Sequence, residues 1–275
     1  MPSYDIRPLQ LHLLDILLRV DEAFRRAGLR YYLIDGSLIG AVREHGFIPW
    51  DDDMDIGMPR ADYERLIRES RDILPAPLEF VCYENDPTYP LHFGKIQDAS
   101  TTLIERPHLY YLGGVYIDIF PIDGAPSGAL AQRLHCLRYN TLRKLIYYVH
   151  RDPYRHGHGP SSWVPLLTRK LWTMDSLQRK IKREMTRYDF DATPLVGVNL
   201  NDGRGAMIPR EALGSPTPLD FEGKQVMGMA DNNLYLSKLF GDYMTPPPAG
   251  NRHQHNFYYM DLTRPYADFD TSKLS

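Results

Sequence analysis

Four carboxylates fall within five residues in the stretch Trp50-Asp51-Asp52-Asp53-Met54-Asp55-Ile56-Gly57-Met58. From Asp53 onward the period is two. Met54, Ile56 and Met58 point to one face of a strand, and Asp53 and Asp55 to the other. Carboxylates side by side repel unless positive charge lies between them. A hard divalent cation, Mg²⁺ or Mn²⁺, held by carboxylate oxygens and completed by water and substrate phosphates, supplies that charge. The competing reading is a solvated acidic loop, against which the apolar neighbours Trp50, Met54, Ile56 and Met58 argue. A further carboxylate, Asp118, stands alone where Val115, Ile117 and Ile119 alternate with Tyr116, Asp118 and Phe120. A mid-strand carboxylate in an apolar element needs a partner. Either an Arg or Lys from elsewhere neutralises it, or it faces Asp53 and Asp55 as a third metal ligand.

The elements that must position these groups can be read outward from them. Tyr31 to Ile34 favours a buried strand that stops at Asp35-Gly36-Ser37. There Gly36 allows a sharp turn, and Ser37 is the expected N-cap of a helix with Leu38, Ile39, Ala41 and Val42 on its apolar face. Free N–H groups, the helix dipole and the Ser37 hydroxyl would then suit an anion such as phosphate, although many Gly-Ser pairs are simply turns. Upstream, apolar residues recur with helical spacing over Gln10 to Ala27, and Gly28 suits the C-cap. Downstream, a helix is expected over Tyr63 to Ser70. Strands over Leu78–Tyr83, Leu91–Ile96 and Thr101–Glu105 are expected as antiparallel neighbours in one sheet.

After Gly128 two long helical patterns, Leu130 to Val149 and Trp163 to Tyr188, flank a polar stretch and predict a helical insertion over 128–190. Both helices carry many Arg and Lys side chains. These form a solvated basic face or a surface for anionic glycan, lipid phosphate or inner-leaflet headgroups. The last section predicts a hairpin around Glu222-Gly223-Lys224 and a helix Asn232 to Phe240 capped by Asp231. His253 and His255 form a His-x-His pair, a pattern open to a ligand or catalytic role.

Composition narrows the class. With 275 residues, 43% hydrophobic and 24% charged, the chain can bury a substantial core and reads as an ordinary globular protein. A formal net charge of -3 argues against a nucleic-acid-binding surface. Cys82 and Cys136 provide neither a disulfide framework nor a thiolate zinc cluster. A reducing cytosol is expected. No secretory signal pattern and no apolar run of about 18 residues occurs, so neither secretion nor a membrane span is expected.

The string from Asp35-Gly36-Ser37 through Gly40-Ala41-Val42-Arg43 and Gly46-Phe47-Ile48-Pro49-Trp50-Asp51-Asp52-Asp53-Met54-Asp55-Ile56-Gly57 resembles the signature of the LicD/fukutin family. The resemblance extends to Phe93-Gly94-Lys95 and to Ile117-Asp118-Ile119-Phe120-Pro121-Ile122-Asp123-Gly124. It implies an α+β fold with a nucleotidyltransferase-like mixed sheet flanked by helices, as a single domain over 1–275. It also implies transfer of a phosphorylated alcohol, such as phosphocholine, from a CDP-linked alcohol donor to a glycan or glycolipid acceptor in cell-surface polysaccharide biosynthesis. On that resemblance Asp53, Asp55 and Asp118 are the catalytic metal ligands. Gly36 and Ser37 face the donor phosphates, as does Lys95, for which an exposed strand lysine is the alternative. Asp123 is expected to be structural.

Phosphoryl transfer is the chemistry these parts serve. A nucleotidyltransferase releasing pyrophosphate from a nucleoside triphosphate would use the same carboxylates, and a non-catalytic glycan- or nucleotide-binding relative would be expected to lose them. The 19 tyrosines include the adjacent pairs Tyr31-Tyr32, Tyr110-Tyr111, Tyr147-Tyr148 and Tyr258-Tyr259. They build core and surface, or an aromatic cage for a quaternary ammonium. The composition and resemblance together place the protein in the cytoplasm, with peripheral contact at the inner membrane leaflet as the alternative.

Overall fold

The computed structural model describes residues 5–105, 111–155, 157–252, 254–255 and 257–271. Helix α1 (Arg7–Ala27) buries Leu9, Leu13, Ile16, Leu17, Val20 and Phe24 at helical spacing. It ends at Gly28, whose left-handed φ of 66° is open to glycine without a Cβ penalty. The chain then enters β1 (Tyr32–Leu33), α2 (Asp35–Ile39) and a π-helical turn (Gly40–Glu44). The helix thus starts two residues before Ser37. No side chain caps it, because the N-cap position falls on apolar Ile34, and the Ser37 hydroxyl is engaged elsewhere.

The acidic stretch leads into β2 (Asp55–Pro59), followed by α3 (Arg60–Ile73), β3 (Leu78–Val81), β4 (Gly94–Asp98), β5 (Thr102–Ile104) and the long β6 (Tyr116–Ala125). The principal sheet has the order β1-β2-β6-β4-β3, with β2 and β6 parallel and the other neighbours antiparallel. Beyond Ile122, β6 pairs with β7 (Leu195–Gly197), which pairs with β8 (Met207–Pro209). The architecture is α+β, a mixed sheet with helices. Strand β5 departs from the expected single sheet. It pairs with β11 (Tyr259–Asp261), a partner more than 150 residues away that no local pattern could announce.

Between β6 and β7 lie α4 (Ala129–His150), α5 (Pro160–Leu171) and α6 (Met174–Met185). The expected second long helix is therefore broken. Thr173 accepts a hydrogen bond from the Ser176 N–H at 3.2 Å and starts a new helix. Tyr139, Ile146, Leu177, Ile181 and Met185 build a second, smaller core beneath the helices. A buried His135–Glu184 contact of 2.9 Å links α4 to α6. After α7 (Arg210–Leu213) comes the β9 (Thr217–Phe221) and β10 (Lys224–Gly228) hairpin. Its turn places Glu222 and Gly223 at φ of 51° and 71°, matching the twist of the strands. Asp231 caps α8 (Asn232–Phe240), accepting from the Leu234 N–H at 2.9 Å.

Candidate active site

Strand register puts three ionisable residues in one row. Asp118 in β6 lies opposite Asp55 in parallel β2 and opposite Lys95 in antiparallel β4. Directly paired residues project to the same face, so the row Lys95–Asp118–Asp55 crosses three adjacent strands. Lys95 is buried, not an exposed strand lysine. Its ammonium lies 3.5 Å from Asp118 Oδ1, 4.0 Å from Glu105 Oε2 and 3.1 Å from the centre of the Tyr116 ring. The cationic neighbour that a mid-strand Asp118 demands is thus Lys95.

The backbone fixes this floor. The Asp118 N–H donates to Met54 O at 2.8 Å, so the residue between the two acidic positions is part of the ladder. The Asp55 N–H donates to Ser37 Oγ at 2.8 Å, and the Ile34 N–H to Asp55 O at 3.2 Å. Gly36 abuts Asp51 so closely that a Cβ there would lie 2.8 Å from Asp51 Oδ2. Gly36 and Ser37 therefore brace the acidic strand and are not among the residues lining the cavity described below. Asp35, at a left-handed φ of 48°, accepts from Asn199 Nδ2 at 2.8 Å and from the Tyr235 hydroxyl.

At the rim, the C-terminal segment returns His255 to the acidic loop. Its backbone N–H donates to Asp52 Oδ2 at 2.8 Å, its Nδ1 lies 2.7 Å from Asp52 Oδ1, and Asp53 Oδ2 is 3.9 Å away. The hydrogen bond to Asp52 raises the His255 pKa to about 9. His253 lies outside the described residues. Asp123, expected to be structural, forms a two-pronged pair with Arg60 at 2.6 and 2.7 Å.

Withdrawal from water followed by crowding of like charges disfavours ionisation across the floor. Asp55 is raised well above the usual carboxylate range by desolvation, then by Asp53 and Asp118. Desolvation also raises Asp53, against the opposing charge of His255. It lifts Asp51 to about 8, with Asp53 adding to the shift, and Asp118 to about 6, against the pull of Lys95. Among the described residues no three His, Cys, Asp or Glu side chains are gathered closely enough to enclose an ion as they stand. The donor set nevertheless fits a hard divalent cation. Asp53, Asp55 and Asp118 offer only oxygens, negative charge is in excess, and the buried Oδ1 of Asp118 makes no hydrogen bond beyond its 3.5 Å ion-pair contact with Lys95.

Above the floor opens a cavity of about 480 Å³, lined in part by Asp53, Lys95, Asp118 and His255. One wall is aromatic, with Tyr89 and Tyr111 edge-to-face at 5.2 Å and Phe93 stacked on Phe120 at 4.3 Å. A further wall is α4, which contributes Arg143, Lys144, Tyr147 and His150. Arg143 Nη1 donates to Asn201 Oδ1 at 3.0 Å, as does the Tyr139 hydroxyl at 2.8 Å, and Tyr139 also contacts His92. The role of α4 is absent from the sequence-based reading. Its signal was the spacing of Arg143, Tyr147 and His150 along one helical face. Of the paired tyrosines, Tyr111 and Tyr147 line the cavity. Tyr31 and Tyr32 are core residues whose hydroxyls bind Asp21 and Gly214 O, each at 2.7 Å.

The site is thus a carboxylate row on a mixed sheet, backed by α1 and α3 and opening on a cavity. Residues 28–125 match the family described as LicD/FKTN/FKRP, nucleotidyltransferase domain. The match ends at the last residue of β6. Over nearly its whole length the chain is similar to the lipopolysaccharide cholinephosphotransferase LicD of Haemophilus influenzae. The two are 25% identical over 286 aligned residues, covering 93% of this chain and 97% of the relative. Uncharacterised proteins of Rickettsia prowazekii and Rickettsia typhi are each 38% identical over 52 residues. Those segments cover 19% of this chain and 20% and 17% of the respective relatives.

Proposed function

We propose that this protein transfers a phosphorylated alcohol, with phosphocholine the leading candidate, from a CDP-activated donor to a hydroxyl of a lipopolysaccharide or related glycan. The observation that carries the reading is the Lys95–Asp118–Asp55 row at the floor of a cavity with aromatic and cationic walls. Similarity to a cholinephosphotransferase along nearly the whole chain supports it. We take the protein as one domain over 1–275, with 128–190 a helical insertion that supplies the cationic wall.

Asp53, Asp55 and Asp118 would hold Mg²⁺ or Mn²⁺, whose charge would neutralise the donor phosphates and favour departure of CMP. Lys95 is buried within reach of Asp118 and is placed to meet a phosphate oxygen when that carboxylate is engaged. Arg143 and Lys144 approach from the α4 wall and bind the remaining phosphate charge. Tyr89, Tyr111 and Tyr147 offer ring faces or edges to a quaternary ammonium. The acceptor oxygen attacks the phosphorus bearing the small alcohol, the bond from that phosphorus to the CMP oxygen breaks, and a floor carboxylate takes the hydroxyl proton. The Asp52–His255 contact closes the rim beside Asp53.

Incubation with CDP-choline, other CDP-alcohols, CTP and ATP in the presence of Mg²⁺ and an acceptor glycan tests the reading, with CMP and pyrophosphate followed separately. CMP release from one CDP-alcohol, lost in Asp53→Asn, is the expected result. Pyrophosphate release from a triphosphate would replace it with nucleotidyl transfer.

A further inference from the structure

Helix α5 is built inside out. Facing the protein are Ser162, Pro165 and Thr168, while Trp163, Val164, Leu166, Leu167 and Leu171 face solvent. Trp163 is 67% exposed and Leu167 58%. The inward polar groups are satisfied locally, since the Ser162 hydroxyl donates to Gly159 O and that of Thr168 to Val164 O, each at 2.7 Å. At its N-terminal end α4 separately exposes Leu130, Leu134 and Leu137, with Leu130 71% and Leu137 63% exposed. An amphipathic helix in a globular protein ordinarily turns its apolar side inward, and contiguous exposed apolar surface marks an interaction site.

The charge of this region says what it meets. From Ala129 to Met174 the sequence has eight Arg and Lys residues against one carboxylate, Asp152, in a chain whose formal net charge is -3. Arg151 is buried and Arg143 and Lys144 line the cavity, which leaves Arg133, Arg138, Arg155, Arg169 and Lys170 exposed on the outside. Apolar side chains projecting from a strongly basic helical region match the interface of an anionic bilayer, where the former enter the acyl boundary and the latter meet headgroup phosphates. A two-fold contact between copies of the chain would instead set like charge against like. No helix among the described residues is long and apolar enough to cross a membrane, which fits contact at the surface.

We infer that the outward face of α5 docks the protein on a membrane surface rich in anionic phospholipid. The helix is fastened to the cavity rim. Arg169 donates to the backbone oxygens of Val149, His150 and Arg151 at 2.8, 3.3 and 2.9 Å, and His150 lines the cavity. Docking through α5 therefore brings the mouth of the cavity to the lipid surface, where a membrane-anchored glycan acceptor is presented. That last consequence rests on the proposed transfer reaction, whereas the docking does not.

The test is co-sedimentation of the full chain with vesicles of phosphatidylcholine alone or mixed with phosphatidylglycerol. Blue-shifted Trp emission, absent in Trp163→Phe, reports entry of the helix into the bilayer. Wild-type protein is expected to pellet with the mixed vesicles, and Leu167→Glu to lower the partition constant about tenfold or more. Because Leu167 is exposed, that variant retains its thermal unfolding profile and its CMP release with a water-soluble acceptor. Failure of wild type to bind the mixed vesicles, or equal binding by Leu167→Glu, overturns the inference. So does sedimentation velocity showing a dimer that Leu167→Glu dissociates while vesicle binding is absent, which assigns the face to a second copy.

Discussion

The floor and the helical wall of the cavity are built by opposite means. On the floor, backbone ladders set the positions of Lys95, Asp118 and Asp55, and like charges are held together with Lys95 and His255 close by. On the wall, side chains of a single helix, α4, reach the cavity without a strand ladder to set their register. The floor therefore stores electrostatic repulsion for chemistry, whereas the wall supplies contacts that can change without disturbing the sheet. This division coincides with the family match, which spans 28–125 and stops before α4.

Asp55→Asn should produce the largest contrast. Replacing the carboxylate by an amide removes both the burial of a charge and the crowding by Asp53 and Asp118 that raise its pKa. Turnover should fall on the order of 10³-fold, while the metal-free protein melts about 2–4 °C higher, the response to roughly 1 kcal/mol in a chain of this size. Paired CMP-release assays and calorimetry in chelator check both halves, and a fall in activity accompanied by a lower melting temperature would remove the stored-repulsion argument. On the wall, Arg143→Met should lower kcat/KM about 10- to 100-fold, mostly through KM, because a guanidinium that holds the donor phosphate equally in the ground and transition states contributes uniform binding. Its melting temperature should stay within about 1 °C of wild type. A selective loss of kcat would instead move Arg143 to the reacting centre.

How far the sequence could anticipate this contrast depends on the range of the forces involved. Alternation around Asp53, Asp55 and Asp118 exposed the floor because strand period is local. The pairing of Asp118 with both Asp55 and Lys95 was not readable, since register is settled by long-range packing. Ser37 was readable as a polar residue at a helix start, but its partner, the Asp55 N–H, lies 18 residues away across a turn whose shape depends on Gly36 and Asp51. The wall was legible as helix and as positive charge, yet which face of α4 met the cavity depended on how Tyr139 and Ile146 packed with α6. The break at Thr173 followed a capping signal that lay inside an otherwise continuous apolar repeat.

Acid sensitivity should separate the regions by sign. His92, in the cavity lining beside Tyr139, has its pKa pushed down to about 3, chiefly by desolvation and then by Arg143. The unfolded chain takes that proton near pH 6.5 and the folded chain only near 3, so stability is full above about pH 6.5 and declines as pH falls through that window. The loss at about pH 5 should be about 2 kcal/mol. The floor carboxylates run the other way. Asp118, raised to about 6, favours the fold as pH drops toward its unfolded value near 4. Urea midpoints in chelator at about pH 7.5 and pH 5 should therefore fall less on acidification in His92→Gln than in wild type. An unchanged difference would show that His92 is not held neutral.

Ser37→Ala makes the smallest change and divides floor from wall most finely. The substitution keeps the helix start and all charges but removes the acceptor for the Asp55 N–H. A part-buried donor left without its partner should lower stability by about 1–1.5 kcal/mol. The same loss frees the backbone that aims Asp55, so kcat should drop a few-fold, roughly 0.5–1 kcal/mol, while KM for the donor holds. Arg143→Met is expected to give the reverse pattern, with KM altered and stability unchanged. If Ser37→Ala instead raised KM with kcat and melting temperature intact, its hydroxyl would belong to donor binding, and the floor would not depend on that bond for its geometry.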